Sequence, residues 1–133
     1  MILIVALDNR NGMMYNGRRQ SQDRELRRRI LEKSKQSVLW VSPYTRRQFV
    51  EPAPQIRVSQ QPMQDAGKGE YCFMEDLPVQ DIKGIEEIII YRWNRSYPFD
   101  KKFQLTLGKW RKFSEKAFQG YSHGKITEEV YRW

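Results

Sequence analysis

Residues 1–17 read MILIVALDNRNGMMYNG. Met1 to Leu7 is an unbroken apolar run containing the β-branched residues Ile2, Ile4 and Val5, and Asp8-Asn9 ends it. A run of this length with no polar face predicts a strand buried on both sides. Such strands lie at the centre of α/β sheets, with helices covering both faces. The loop that follows carries Gly12 and Gly17 among polar residues. In open α/β sheets ligands sit beyond the carboxyl ends of the strands, which places a candidate site near Asp8 to Gly17.

Outward from this strand, Ser21 to Lys35 (SQDRELRRRILEKSK) predicts a helix. Ser21 is a good N-cap, and Asp23 and Glu25 fall in the first turn, where carboxylates oppose the helix dipole. Leu26 and Ile30 share a narrow inward face, with Leu31 beside them. Asp23 with Arg27, Glu25 with Arg29, and Arg28 with Glu32 are spaced for surface ion pairs, each worth about 0.3–0.5 kcal/mol. Ser37 to Ser42 predicts a second buried strand, ended by Pro43. Tyr44 to Val50 predicts a short helix, Glu51-Pro52-Ala53-Pro54 a turn, Ile56 to Ser59 a third strand and Gln60 to Gly69 a loop. Glu70 to Met74 predicts a fourth strand, and Val79 to Lys83 a short helix or turn. Glu86 to Trp93 contains Ile88-Ile89-Ile90-Tyr91, a strong buried strand. Phe103 to Leu107 is expected to be extended. Trp110 to Phe118 alternates loosely, with Trp110, Phe113 and Phe118 expected inward. Gln119 to Gly124 reads as a hairpin turn, and Ile126 to Trp133 as the last strand. This order predicts one α/β domain over residues 1–133. It would have three layers around a mixed sheet, mainly parallel, with an antiparallel C-terminal hairpin.

Composition narrows the function classes. Four Trp, seven Tyr and six Phe in 133 residues exclude a disordered chain. Met1 to Leu7 is too short for a membrane span and lacks the basic flank of a signal peptide, so a cytoplasmic protein with no membrane partner is expected. The single cysteine, Cys72, fits a reducing compartment and reads as a buried, inert thiol. Asn94-Arg95-Ser96 matches the glycosylation pattern, which a cytoplasmic chain would not use. One histidine, His123, and one cysteine cannot build a zinc centre, so no metal is expected. That excludes the two-zinc chemistry of a ribonuclease Z-type hydrolase, which needs a histidine cluster. His123 reads as a turn residue. Glu86-Glu87 and Glu128-Glu129 are adjacent on strands, so the members of each pair face opposite ways and form no dyad.

The charge is uneven. Residues 1–50 hold eleven Lys/Arg and four Asp/Glu, a net of +7, whereas residues 51–133 are close to balanced. Clustered arginines concentrate polyanions, so Arg24, Arg27 and Arg28, with the aromatics Trp93, Tyr97 and Trp133, form a candidate RNA-binding surface. The plainer reading is a solvated helix face.

The two ends of the chain resemble dihydrofolate reductase. That family opens on a buried strand reading roughly I-x-A-x-D-x-N-x-G-I-G; here Ala6, Asp8 and Gly12 match, Met13 stands at the Ile, and Gly17 suits the later glycine. Ile88 to Tyr91 resemble the strand before the family's Asp-x-x-Phe, kept as Asp100-Lys101-Lys102-Phe103. Trp110 with Ser114-Glu115, and Glu128 to Arg132, resemble its last two strands. The resemblance covers about half the chain and implies Ala6, Asp8, Gly12, Gly17 and Thr45 as ligand-binding residues.

Departures fall on the functional positions. The family's Gly-Arg-x-Thr, which helps hold NADPH phosphate, reads Ser42-Pro43-Tyr44-Thr45 here. Its Gly-Gly pair, where backbone approaches the cofactor pyrophosphate, falls on Glu75-Asp76; two carboxylates there repel phosphate. No arginine follows a Leu-Pro to hold the substrate's carboxylate, although Arg57 is near. The segment between Ser59 and Glu70 is short, which predicts one strand fewer and a reduced dinucleotide surface. The family's pterin-orienting carboxylate corresponds to Asp23 or Glu25, but Gln20-Ser21-Gln22 replaces the tryptophan and proline before it. The resemblance therefore implies the fold without NADPH as a cofactor, and a small planar or nucleotide-like ligand or a protein partner. A reductase with altered cofactor contacts and an RNA-directed protein are the alternatives.

Overall fold

The computed structural model describes residues 1–79, 83–104 and 106–133. A seven-stranded sheet runs through the molecule in the order β5 (Ile56–Val58), β4 (Leu39–Val41), β6 (Tyr71–Phe73), β1 (Ile2–Leu7), β7 (Glu87–Arg92), β10 (Lys125–Arg132), β9 (Arg111–Gln119). The first five are mutually parallel, and β10 and β9 are antiparallel. This is the mixed sheet that the sequence predicts, with β1 central between β6 and β7. Its residues alternate sides: Leu3, Val5 and Leu7 enter one core cluster, and Ile4 enters the other. Fully burying each such side chain stabilises by about 1.5–3 kcal/mol, so a polar face on β1 would cost one whole layer of core.

One face of the sheet is covered by α1 (Arg24–Ser34), which buries Leu26, Ile30 and Ser34 at a four-residue spacing. The helix begins later than expected. Asp23, not Ser21, is the N-cap: its carboxylate accepts from the backbone N–H of Glu25 and Leu26. Asp23 is therefore unavailable to pair with Arg27, which turns instead to Glu51 at 3.1 Å. Glu25 collects both Arg28 and Arg29, and Glu32 takes Lys35.

The opposite face is covered mostly without helix. A small sheet of β2 (Gly12–Tyr15), β3 (Arg18–Arg19) and β8 (Lys101–Lys102) lays Met13 and Met14 on the core. Asn16 and Gly17, both with positive φ, turn β2 into β3. Two successive left-handed residues are what a type I′ hairpin requires, and Asn-Gly is its strongest sequence signal. The helix after β4 is one turn, α2 (Pro43–Arg46), started by Pro43 with the Ser42 hydroxyl capping Thr45, and not the longer Tyr44 to Val50 segment. Between Ser59 and Glu70 stands only the short α3 (Pro62–Asp65) and no strand.

Two further expectations are corrected. Phe113 is 62% exposed, not inward. It is the extra residue between Lys112 and Ser114 where β9 slips register against β10, so the regular alternation is broken at Phe113. Trp93 is 3% exposed and belongs to the α1-side core, so it offers no stacking surface to RNA. Parts of Val79 to Lys83 and of Phe103 to Leu107 lie outside the described residues. Cys72 is fully buried, and burial pushes its thiol up to about 12. Glu128 accepts from the buried Tyr91 hydroxyl while Glu129 pairs with Arg92, on opposite sides of β10. No helix among the described residues is long and apolar enough to cross a membrane.

Candidate functional site

The carboxyl ends of β1, β4 and β6 open toward the β2–β3 hairpin, the place where a doubly covered sheet holds ligands. What fills this end is a polar network made by the chain itself. Arg19, on β3, grips Glu75 just after β6 in a forked pair: Nε donates to Oε2 at 3.0 Å and Nη2 to Oε1 at 3.2 Å. The Gln48 side-chain amide donates to the same carboxylate at 3.0 Å. The guanidinium lies 4.4 Å over the Tyr44 ring, and the Tyr44 hydroxyl accepts from the Arg19 backbone N–H. Glu75 is only 6% exposed, so this pair works with little water. Beside it, Asp76 accepts from the Ser42 hydroxyl at 2.8 Å, and the Lys101 ammonium donates to the Asp76 carbonyl. Three of the positions that depart from the reductase-like pattern are thus taken up by the chain's own bonds: Ser42 with Asp76, and Glu75 with Arg19 and Gln48.

The residues expected to bind ligand have structural duties here. Asp8 is buried and accepts from the N–H of Arg10, Gly12 and Tyr97 and from the Gln20 amide. Burial raises its carboxyl, but these donors outweigh it and hold it below the usual carboxylate range. Gly12 is packed against Gln20, Phe99 and Asp8, with a Cβ built there 2.5 Å from the Gln20 amide nitrogen. Gly17 is the hairpin turn, Thr45 is buried within α2, and Ala6 is half-buried on the α1 side of β1.

Neither carboxylate candidate is open. Asp23 is buried, and its two oxygens accept from the N–H of Glu25, Leu26, Tyr121, Ser122 and His123 and from the His123 ring. Desolvation works to raise its carboxyl, yet the donors from Tyr121, His123, Ser122 and Leu26 hold it well below the usual carboxylate range. Glu25 is held low chiefly by its bonds to Arg28. On the proposed RNA face, Arg27 and Arg28 are tied to Glu51 and Glu25, and Arg24 lies 5.2 Å over the Tyr121 ring. Arg57 donates to the carbonyls of Pro54 and Ile56.

A hollow of about 370 Å³ remains beside the hairpin, lined by Tyr15, Asn16, Arg18, Arg19, Gln20, Tyr97 and Pro98. Gln20 Oε1 is buried there with no hydrogen-bond partner among the described residues. Sequence reasoning singled out none of Arg19, Gln20 or Glu75 as an interacting set. Asn16-Gly17 was the available signal, since a hairpin at that point carries Arg19 back across the sheet end. Among the described residues no group of three or more His, Cys, Asp or Glu side chains is placed to hold a metal ion.

No family model matches the chain, and no curated protein matches it. The structure is similar to dihydrofolate reductase from Enterococcus faecalis, solved in complex with NADP(H) and RAB-propyl, with a TM-score of 0.67. The match covers 98% of this chain and 94% of that one, at 12% sequence identity. The fold is dihydrofolate reductase-like. At that identity the likeness is one of fold, and the chemistry of the cleft has to be read from its own residues. Glu75-Asp76 follow the end of β6.

Proposed function

We propose that this dihydrofolate reductase-like protein does not carry out NADPH-dependent reduction, and that it binds a small planar anion at the hollow beside the β2–β3 hairpin. The observation that carries the first half is the buried Arg19–Glu75–Gln48 cluster. A pyrophosphate at this end of β6 would meet the Glu75 and Asp76 side chains and the Asp76 backbone already engaged by Lys101. Like charges in a poorly hydrated cleft repel strongly, and displacing Arg19 would strip Glu75 of its counter-charge. The residues present do not fit NADPH.

The second half is supported by the lining of the hollow. Tyr15, half-exposed, and Tyr97 both line the hollow and offer aromatic faces to a flat ring. Arg18 in the lining supplies positive charge. A purine mononucleotide has this combination of features. Thermal-shift measurements test both halves. NADPH, with or without dihydrofolate, is expected to leave the melting temperature and the tryptophan fluorescence unchanged; submillimolar binding would overturn the first half. Mononucleotides are expected to raise the melting temperature, an effect lost in Tyr15→Ala and Arg18→Ala. The absence of any such response would overturn the second half.

A further inference from the structure

Away from the cleft, the start of α1 and the β9–β10 turn bring Ser21 and Asp23 against His123, about a hundred positions further along the chain. His123 Nδ1 lies 2.9 Å from Asp23 Oδ2, and His123 Nε2 lies 2.5 Å from the Ser21 hydroxyl oxygen. Asp23 is an acceptor on both oxygens, so in the neutral ring Nδ1 carries the hydrogen and Nε2 presents its lone pair to the Ser21 O–H. The His123 ring is held by stacking on the buried Trp93, with centroids 4.6 Å apart and planes 30° apart. Fastening the turn needs none of this. The backbone N–H groups of Tyr121, Ser122 and His123 already secure it to Asp23 without the imidazole or the serine.

We propose that Ser21, His123 and Asp23 form a nucleophile relay, in which Ser21 attacks small carboxylic esters, His123 is its base and Asp23 positions the imidazole. The arrangement has the parts that such catalysis requires: a hydroxyl on a base, and the base oriented by a buried carboxylate. Ser21 and His123 are partly buried, whereas Asp23 is fully buried. Gln20, next to Ser21 in the chain, lines the 370 Å³ hollow, and Arg24 and Tyr121 line a second of about 460 Å³, while Ser21 and His123 themselves line neither. In the first step Ser21 Oγ bonds to the carbonyl carbon and its proton passes to His123 Nε2. The ester C–O bond then breaks, and that proton leaves with the alcohol. Water repeats the sequence: its proton goes to Nε2, its oxygen to the carbonyl carbon, and the Ser21 ester bond breaks as Oγ recovers the proton. The balance is ester plus water to acid plus alcohol.

The test uses the full chain with a fluorophosphonate probe and with p-nitrophenyl acetate, and it is independent of nucleotide or NADPH binding. Probe labelling is expected at Ser21, found by peptide mapping, and absent in Ser21→Ala. Ester turnover is expected to fall about 100-fold or more in His123→Asn, the range of a lost general base. A folded wild-type chain that resists the probe, or turnover unchanged in His123→Asn, would overturn the relay. Ser21→Cys gives a second reading, because Cys72 is buried and is expected to stay silent toward iodoacetamide. Its new thiol is expected to alkylate at neutral pH at least about tenfold faster than in Ser21→Cys/His123→Asn, since a neighbouring imidazole promotes the thiolate. Equal rates would also refute the proposal.

Discussion

Replacing Arg19 by methionine tests the reading of the cleft as internally filled. The change keeps the apolar stem and removes the forked bonds to Glu75 and the contact over Tyr44. Glu75, 6% exposed, would be left with Gln48 as its side-chain partner. Breaking a buried ion pair from one side costs about 3–5 kcal/mol, because the surviving charge is stranded away from water. The Arg19 side chain is 18% exposed, so some water reaches the pair and the low end applies, about 3 kcal/mol. For a domain of this size that is a drop of roughly 10 °C in melting temperature. Urea unfolding followed by tryptophan fluorescence gives the free energy directly, provided the m-value stays constant. Arg19→Met/Glu75→Gln removes both charges and leaves Gln48 an acceptor, so it should recover about 2 kcal/mol of the loss as a coupling energy. A loss under about 0.5 kcal/mol in Arg19→Met would be the signature of an exposed pair and would refute the filled cleft.

Gly12→Ala should destabilise by about 1–3 kcal/mol through overpacking, since the added methyl meets the Phe99 Cβ at 2.9 Å as well as the Gln20 amide; thermal melts check it. Asp23 and Asp8 both have folded-state pKa values lowered by their donors. Their stabilisation is therefore complete above the unfolded carboxylate range, about pH 4, and is lost as pH falls toward the folded values. Melting temperature should hold steady near neutrality and drop below about pH 4, and Asp23→Asn should flatten that drop; an unchanged acid slope in the variant would count against the assignment.

Several elements were legible because their signal is local. The apolar run of β1 and the isoleucines of β7 cannot be satisfied except in the middle of a sheet, and the structure pairs them along their whole length. The C-terminal hairpin follows from a turn-rich segment between two extended ones. Misreadings came where a local rule had a competitor. Ser21 and Asp23 are both good caps, and Asp23 prevails because it is also fastened to the β9–β10 turn. Phe113 looked like core by the loose alternation of its segment, but it stands at the β9 bulge and is exposed. Trp93 looked available by its polar neighbours, and its ring is packed into the α1-side core.

The sequence by itself determined the sheet, its central strand and its antiparallel end. These are fixed by hydrophobic period and by residue type, which short-range sterics and burial read directly. Only the tertiary structure decided what the altered positions do. Glu75 lies 56 residues from Arg19, and His123 lies 100 residues from Asp23. A hydrogen bond across such a distance leaves no periodic trace in the chain. Its existence depends on strand order and helix placement, which bring the two groups within 3 Å of each other only after the core has formed.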